Sequence, residues 1–135
     1  MKQSFVVCLI VAVLFGLSSC KDKGRIVEPK DGPARLVIQP QTLNLGTISR
    51  STGVVKKEVL IINEGSENLV INEVENLCSC THAEYPDHPI RPGHGERMEV
   101  YLNAADLSTG QFMRTIIVHS NGGRVAFDLA GTMVY

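Results

Sequence analysis

Three side chains within five residues carry the most reactive chemistry of this chain: Cys78, Cys80 and His82, in the stretch Cys78-Ser79-Cys80-Thr81-His82. Thiols can pair, bind soft metals or act as redox nucleophiles, and the spacing weighs these outcomes differently. In an extended strand, residues i and i+2 share a face at roughly 6.6–6.8 Å, the outer limit of a disulfide, so a Cys78–Cys80 bond requires the segment to bend. That bond would close almost no loop and add little stability. If the strand ran straight on, Cys78, Cys80 and His82 would present three donors on one face, with His88 and His94 on the loop that follows. Thiolate and imidazole suit Cu(I) or Zn, although Cys-x-Cys is tighter than the usual zinc spacing. A redox centre needs a helix N-terminus or a close cation to lower a thiol pKa, and the first Lys or Arg after His82 is Arg91. The expectation is a local disulfide, or a pair of small buried residues shaping the loop in an oxidising compartment; a Cu(I) or Zn site is the alternative.

The other two cysteines lie in a different context. Residues 1–20 open with Lys2, run apolar from Phe5 to Phe15 and end in small residues, the three-part layout of a secretory signal. The apolar run of 11 residues is short of the roughly 20 that a membrane-spanning helix needs. Leu17-Ser18-Ser19-Cys20 is similar to the bacterial lipobox, in which the signal is cut before a cysteine that receives a diacylglycerol. Cys20 is therefore expected to be the lipid attachment point, and Cys8 to leave with the signal peptide 1–19. Residues 20–34 then hold the lipidated cysteine and a charged, Pro- and Gly-containing tether.

Charge and composition exclude several functions. Losing Lys2 from the 13 basic residues leaves 12 against 14 acids, a net charge of −2. There is no Trp and no basic stripe interleaved with aromatics, so nucleic acid is not an expected partner. Ser108, Ser120, His119 and Asp128 lack a nucleophile-elbow pattern, and Glu73, Glu75 and Glu84 form no recognisable carboxylate pair. Pro92-Gly93 is followed by no helix that could present its N-terminus to a phosphate. No enzyme activity is expected.

The elements that must position these residues read as strands. Short Val-, Ile- and Leu-rich runs separated by turn residues cover 35–38, 42–48, 54–63, 68–74, 96–103, 111–120 and 124–132. In 54–63, Val55, Val59 and Ile61 share one face and Lys56 and Glu58 the other. In 96–103, Met98, Val100 and Leu102 alternate with Glu99 and Tyr101. Asn121-Gly122-Gly123 is a hairpin signal, and 81–95 reads as one long loop. No window supports a helix. About seven strands in 35–135 imply an all-β fold, an antiparallel sandwich of two sheets with Phe112 and Phe127 as its largest core residues. The runs 35–38 and 124–135 are expected at exposed edges.

Taken together, several short motifs resemble a bacterial family of uncharacterised lipoproteins and periplasmic proteins with a Cys-x-Cys-Thr motif. They are Gly46-Thr47-Ile48, Asn63-x-Gly65, Leu69-x-Ile71, Cys78-Ser79-Cys80-Thr81, Pro92-Gly93-x-Gly95, Gly110-x-Phe112, Ser120-Asn121 and Leu129-x-Gly131. Ser79 departs from the glycine more common at its position. The resemblance implies an immunoglobulin-like sandwich related to cilia-associated and major-sperm-protein-like modules, and no established activity. A true immunoglobulin domain would need a Cys–Trp–Cys arrangement that this chain lacks. The combined expectation is a module anchored through Cys20 in the envelope of a Gram-negative bacterium, at the outer membrane facing the periplasm. Its partner would be an envelope protein, bound by edge-strand pairing.

Overall fold

The structure, a computed structural model, describes residues 33–135. The segments expected to be a signal peptide (1–19), a lipidated Cys20 and most of a tether (21–32) lie outside them. Eight strands form two four-stranded sheets, one more strand than the sequence patterns predict. The first sheet has the order β1 (Leu36–Gln39), β3 (Val54–Asn63), β6 (Gly95–Asn103), β5 (Thr81–Glu84). The second has the order β2 (Thr42–Ser49), β8 (Gly123–Val134), β7 (Gly110–Ser120), β4 (Ile71–Asn76).

Alternation along the strands builds the core between the sheets. Val59 and Ile61 of β3 and Met98, Val100 and Leu102 of β6 point inward, as do Phe112, Ile116 and Val118 of β7 and Phe127, Leu129 and Met133 of β8. Each such side chain contributes roughly 1.5–3 kcal/mol by leaving water. The opposite face of β3 and β6 carries Lys56, Glu58, Glu99 and Tyr101, as the period-2 pattern requires.

Four expectations are corrected. The run 124–135 is not an edge: β8 sits inside its sheet because β2 pairs with it in parallel, Thr42 opposite Asp128 and Ile48 opposite Met133. For the same reason the sandwich is not wholly antiparallel. The loop 81–95 begins with a strand, β5, whose Thr81 and Ala83 are buried against β6 while His82 and Glu84 face solvent. The strand expected at 68–74 runs from Ile71 to Asn76; Leu69, before it, makes an isolated bridge to Ile90.

A single buried polar side chain ties one end of the sandwich together. Asn63, the last residue of β3, is fully buried. Its Nδ2 donates to the carbonyls of Glu67 (2.6 Å) and Ile90 (2.9 Å), and its Oδ1 accepts from the N–H groups of Gly65 (2.9 Å) and Arg35 (3.3 Å). The side chain thereby uses its whole hydrogen-bonding capacity. At the same end the backbone of Ala34 is wedged between Gly65 and Gly122. A Cβ on Gly65 would strike Pro33 O, and one on Gly122 would lie 2.6 Å from Leu69 Cδ1 and 2.9 Å from Ala34 O. Gly122 lies in the tight turn between Ser120 and Gly123, which pair as the ends of the β7–β8 hairpin.

Candidate functional site: the disulfide turn and the unpaired half of β7

After Asn76 the chain leaves the second sheet, turns through Leu77–Cys80 and enters β5 in the first sheet. Cys78 and Cys80 are joined by a disulfide within this turn, with their Cα atoms 5.1 Å apart. That is shorter than the separation in an extended strand, so the segment bends. Further bonds hold the turn. Cys78 O accepts from the N–H of Thr81 (3.2 Å) and its hydroxyl (3.1 Å), and Cys80 O accepts from Asn103 N–H (2.8 Å).

The bend separates the candidate metal ligands. Cys80 is buried on the core side, whereas His82 projects outward from β5 with its ring 6.0 Å from that of Tyr101. The Cys78, Cys80, His82 face expected of a straight strand is therefore absent. In the disulfide neither sulfur is the thiolate that a metal requires. His88 stands 3.5 Å from both Asp87 and Glu96, and His94 lies in a turn beyond Arg91, its N–H donating to Arg91 O. Among the described residues, no group of three or more His, Cys, Asp or Glu side chains is placed to hold a metal ion.

Both sheets carry ionisable side chains on their outer faces, and the second also has an uncharged hollow. On the first, Lys56 Nζ lies 2.7 Å from Glu99 Oε1, and Tyr101 OH donates to Glu99 Oε2 at 2.6 Å. Hydrogen bonds from Lys56 and then Tyr101 hold the Glu99 carboxyl below its usual 4.5, and the bond to Glu99 raises Lys56 and Tyr101. Arg97 pairs with Glu58 at 3.5 Å on the same face. On the second sheet a shallow hollow is bordered by Thr42, Asn44, Thr47, Gln111, Ala130 and Thr132, and no ionisable side chain lines it.

Sheet edges decide which backbone groups are open to a partner, and each of the four edge strands is blunted by shortness, proline, charge or a break in register. β1 has four residues between Pro33 and Pro40, and β5 has four and is followed by Pro86. β2 is broken by an irregularity between Asn44 and Thr47. β4 carries Glu73 and Glu75 and an irregularity between Ile71 and Glu73, and it is also too short. Its pairing with β7 ends at Asn76 opposite Ile116, although β7 continues for six more residues, to Gly110. Gly110–Thr115 is paired with β8 on one side, and among the described residues no strand pairs with its other side.

This open stretch borders the disulfide turn. Leu77, Cys78, Ser79, Met113, Arg114 and Thr115 line one hollow. Leu77 and Met113 are exposed by 59% and 62%, high for large apolar side chains. Arg114 Nη1 donates to the backbone oxygen of Met113 (2.9 Å), and among the described residues no carboxylate pairs with Arg114. Asn76 Oδ1, at the point where β4 ends, is buried without a hydrogen-bond partner among the described residues. Leu77, Met113 and Arg114 were not picked out by motif. The signal that bears on them is a length mismatch, since a ten-residue run at 111–120 outlasts the seven-residue run at 68–74.

Comparison with solved structures shows the fold. A protein of unknown function from Porphyromonas gingivalis superposes with a TM-score of 0.63 at 14% identity, covering 74% of this chain and 47% of that one. The chain thus spans about half the length of that protein. The ASH / PapD-like domain 7 of human CEP192 gives 0.58 at 9% identity, covering 88% of this chain and 97% of the domain. SSP-19, an MSP-domain-like protein of Caenorhabditis elegans, gives 0.54 at 12% identity, covering 72% and 99%. The eight strands therefore form the immunoglobulin-like sandwich shared by PapD-like and MSP modules. No curated protein matches the sequence. The match that assigns it is to a profile spanning residues 36–132, nearly the whole sandwich: the chain belongs to the family described as a protein of unknown function, DUF1573.

Proposed function

We propose that this chain is a non-catalytic module of the bacterial envelope that binds an extended segment of another polypeptide along the unpaired half of β7. One observation carries the reading: Gly110–Thr115 is a six-residue strand edge that has no proline and no irregularity in its pairing with β8. An added strand would gain main-chain hydrogen bonds there, and side chains on both faces would set its specificity. The polar pairs seen on the described surface, His119 with Glu75 and Lys56 with Glu99, lie on open sheet faces, which favours binding over catalysis. Leu17-Ser18-Ser19-Cys20 supports a lipid on Cys20, with the domain at the outer membrane facing the periplasm.

A photo-cross-linking amino acid placed at Met113 in intact cells tests this, with Glu58 on the opposite sheet as control. The expected result is a discrete adduct from position 113 that is missing from position 58. Cross-links of equal pattern from both positions, or none from 113, would reject the reading. Cys20→Ala is expected to move the protein from the membrane to the soluble fraction; unchanged membrane association would reject the lipid anchor.

A further inference from the structure

We infer that the segment taken up by β7 carries an aliphatic residue next to an acidic one, the aliphatic side chain packing on Leu77 and Met113 and the carboxylate pairing with Arg114. This rests on the strand-binding reading above and names the chemistry of its partner. Consecutive residues of a strand point to opposite faces, so those opposite Met113 and Arg114 must differ in kind. Met113 lies on the outer face beside the uncharged hollow of Thr42, Asn44 and Gln111, and it is 62% exposed; Leu77 is 59% exposed across the cleft. A β-branched or Leu side chain between them would cover both. Arg114 alternates to the inner side with Phe112, which is buried.

Its guanidinium is the cation of the hollow, and the hollow contains no acid. Lys56, Arg97 and Arg35 each have an acid beside them, at Glu99, Glu58 and Glu64. Arg114 instead folds back on the carbonyl of the preceding residue. A carboxylate accepting two guanidinium N–H groups is a stronger partner than one neutral carbonyl. Binding would exchange that local bond for an ion pair at the end of β4.

Labelled six-residue peptides Thr-Thr-Val-Asp-Val-Thr, its Asp→Lys twin and a version with both Val replaced by Ser are the probes. They are titrated against the full chain in detergent, with amide exchange at Gly110–Thr115 read in parallel. We expect the Asp peptide to bind about tenfold tighter than the Lys peptide and the Ser version. R114E should reverse the charge preference and R114Q should abolish it, while circular dichroism checks that each variant is folded. Protection at Gly110–Thr115 with a charge preference untouched by R114E and R114Q would overturn this inference and leave strand binding standing. No protection by any peptide would overturn the strand-binding reading as well. Protection that rises with protein concentration in the absence of peptide would assign the edge to a second copy of this chain, and would overturn the inference too.

Discussion

Replacing Asn63 with Ala removes four hydrogen bonds at once and leaves four backbone groups behind. Two of the bonds, to Ile90 O and from Gly65 N, are buried, and the other two are partly open to water. Orphaning a buried group costs roughly 1–3 kcal/mol, and losing a bond where water can substitute costs about 0.5–1.5 kcal/mol. The two classes together put the loss at about 3–9 kcal/mol, a large part of the roughly 5–15 kcal/mol that holds a domain folded. With a urea slope of about 1.3 kcal/mol/M, the midpoint should fall by at least about 2 M, read by far-ultraviolet circular dichroism because the chain has no Trp. Asn103→Ala is the internal reference. Its half-buried side chain accepts from Ala105 N–H and donates to Asp106 where water can reach both bonds, and its loss should cost about 1 kcal/mol. If Asn63→Ala lost no more than Asn103→Ala, the idea that one buried amide ties this end of the sandwich together would be wrong.

Gly65→Ala drives a Cβ into Pro33 O and the Ala34 backbone, and should cost about 1–3 kcal/mol in the same titration; an unchanged midpoint would mean that the chain start moves freely. Replacing Cys78 and Cys80 together by Ser should cost at most about 1.5 kcal/mol, because a bridge between residues two apart removes little loop entropy. A loss above 4 kcal/mol would give that turn a far larger structural role. For Glu99 the folded pKa lies below 4.5, so its contribution is present above that pH and is lost as pH falls through the lowered value. For Lys56 the folded pKa lies above 10.5, so its contribution is present below that pH and is lost as pH rises through the raised value. Lys56→Met should therefore flatten the acid-side decline in urea midpoint between pH 3 and 6, and an identical slope in both proteins would refute the coupling.

Strands whose partners are near in sequence, or whose faces alternate cleanly, are legible in the sequence alone. β3, β6 and β7 follow from Val55, Val59 and Ile61, from Met98, Val100 and Leu102, and from the Asn121-Gly122-Gly123 turn. β5 was hidden because Thr-His-Ala-Glu is short and only Thr81 and Ala83 face the core, too little period to stand out from a Pro-rich loop. The interior position of β8 was hidden for another reason. It depends on β2 arriving in parallel from about 85 residues away, which no local pattern encodes. The candidate site is of this second kind. Cys78 and Cys80 draw attention by residue type, but the open edge exists because β4 stops at Asn76 while β7 continues, a matter of register between distant segments.

The wedge of Ala34 between Gly65 and Gly122 fixes where the chain enters the sandwich, beside the β7–β8 hairpin. Counting along β7 at about 3.3 Å per residue, the open stretch begins about 17 Å from that hairpin and ends about 33 Å from it. Met133 pairs with Gly110, so Tyr135 lies at this far pole, 95% exposed. The point where the chain enters and the open edge of β7 therefore lie towards opposite poles. A fusion appended after Tyr135 would land beside the open edge and obstruct it, whereas one inserted before Pro33 would leave it clear.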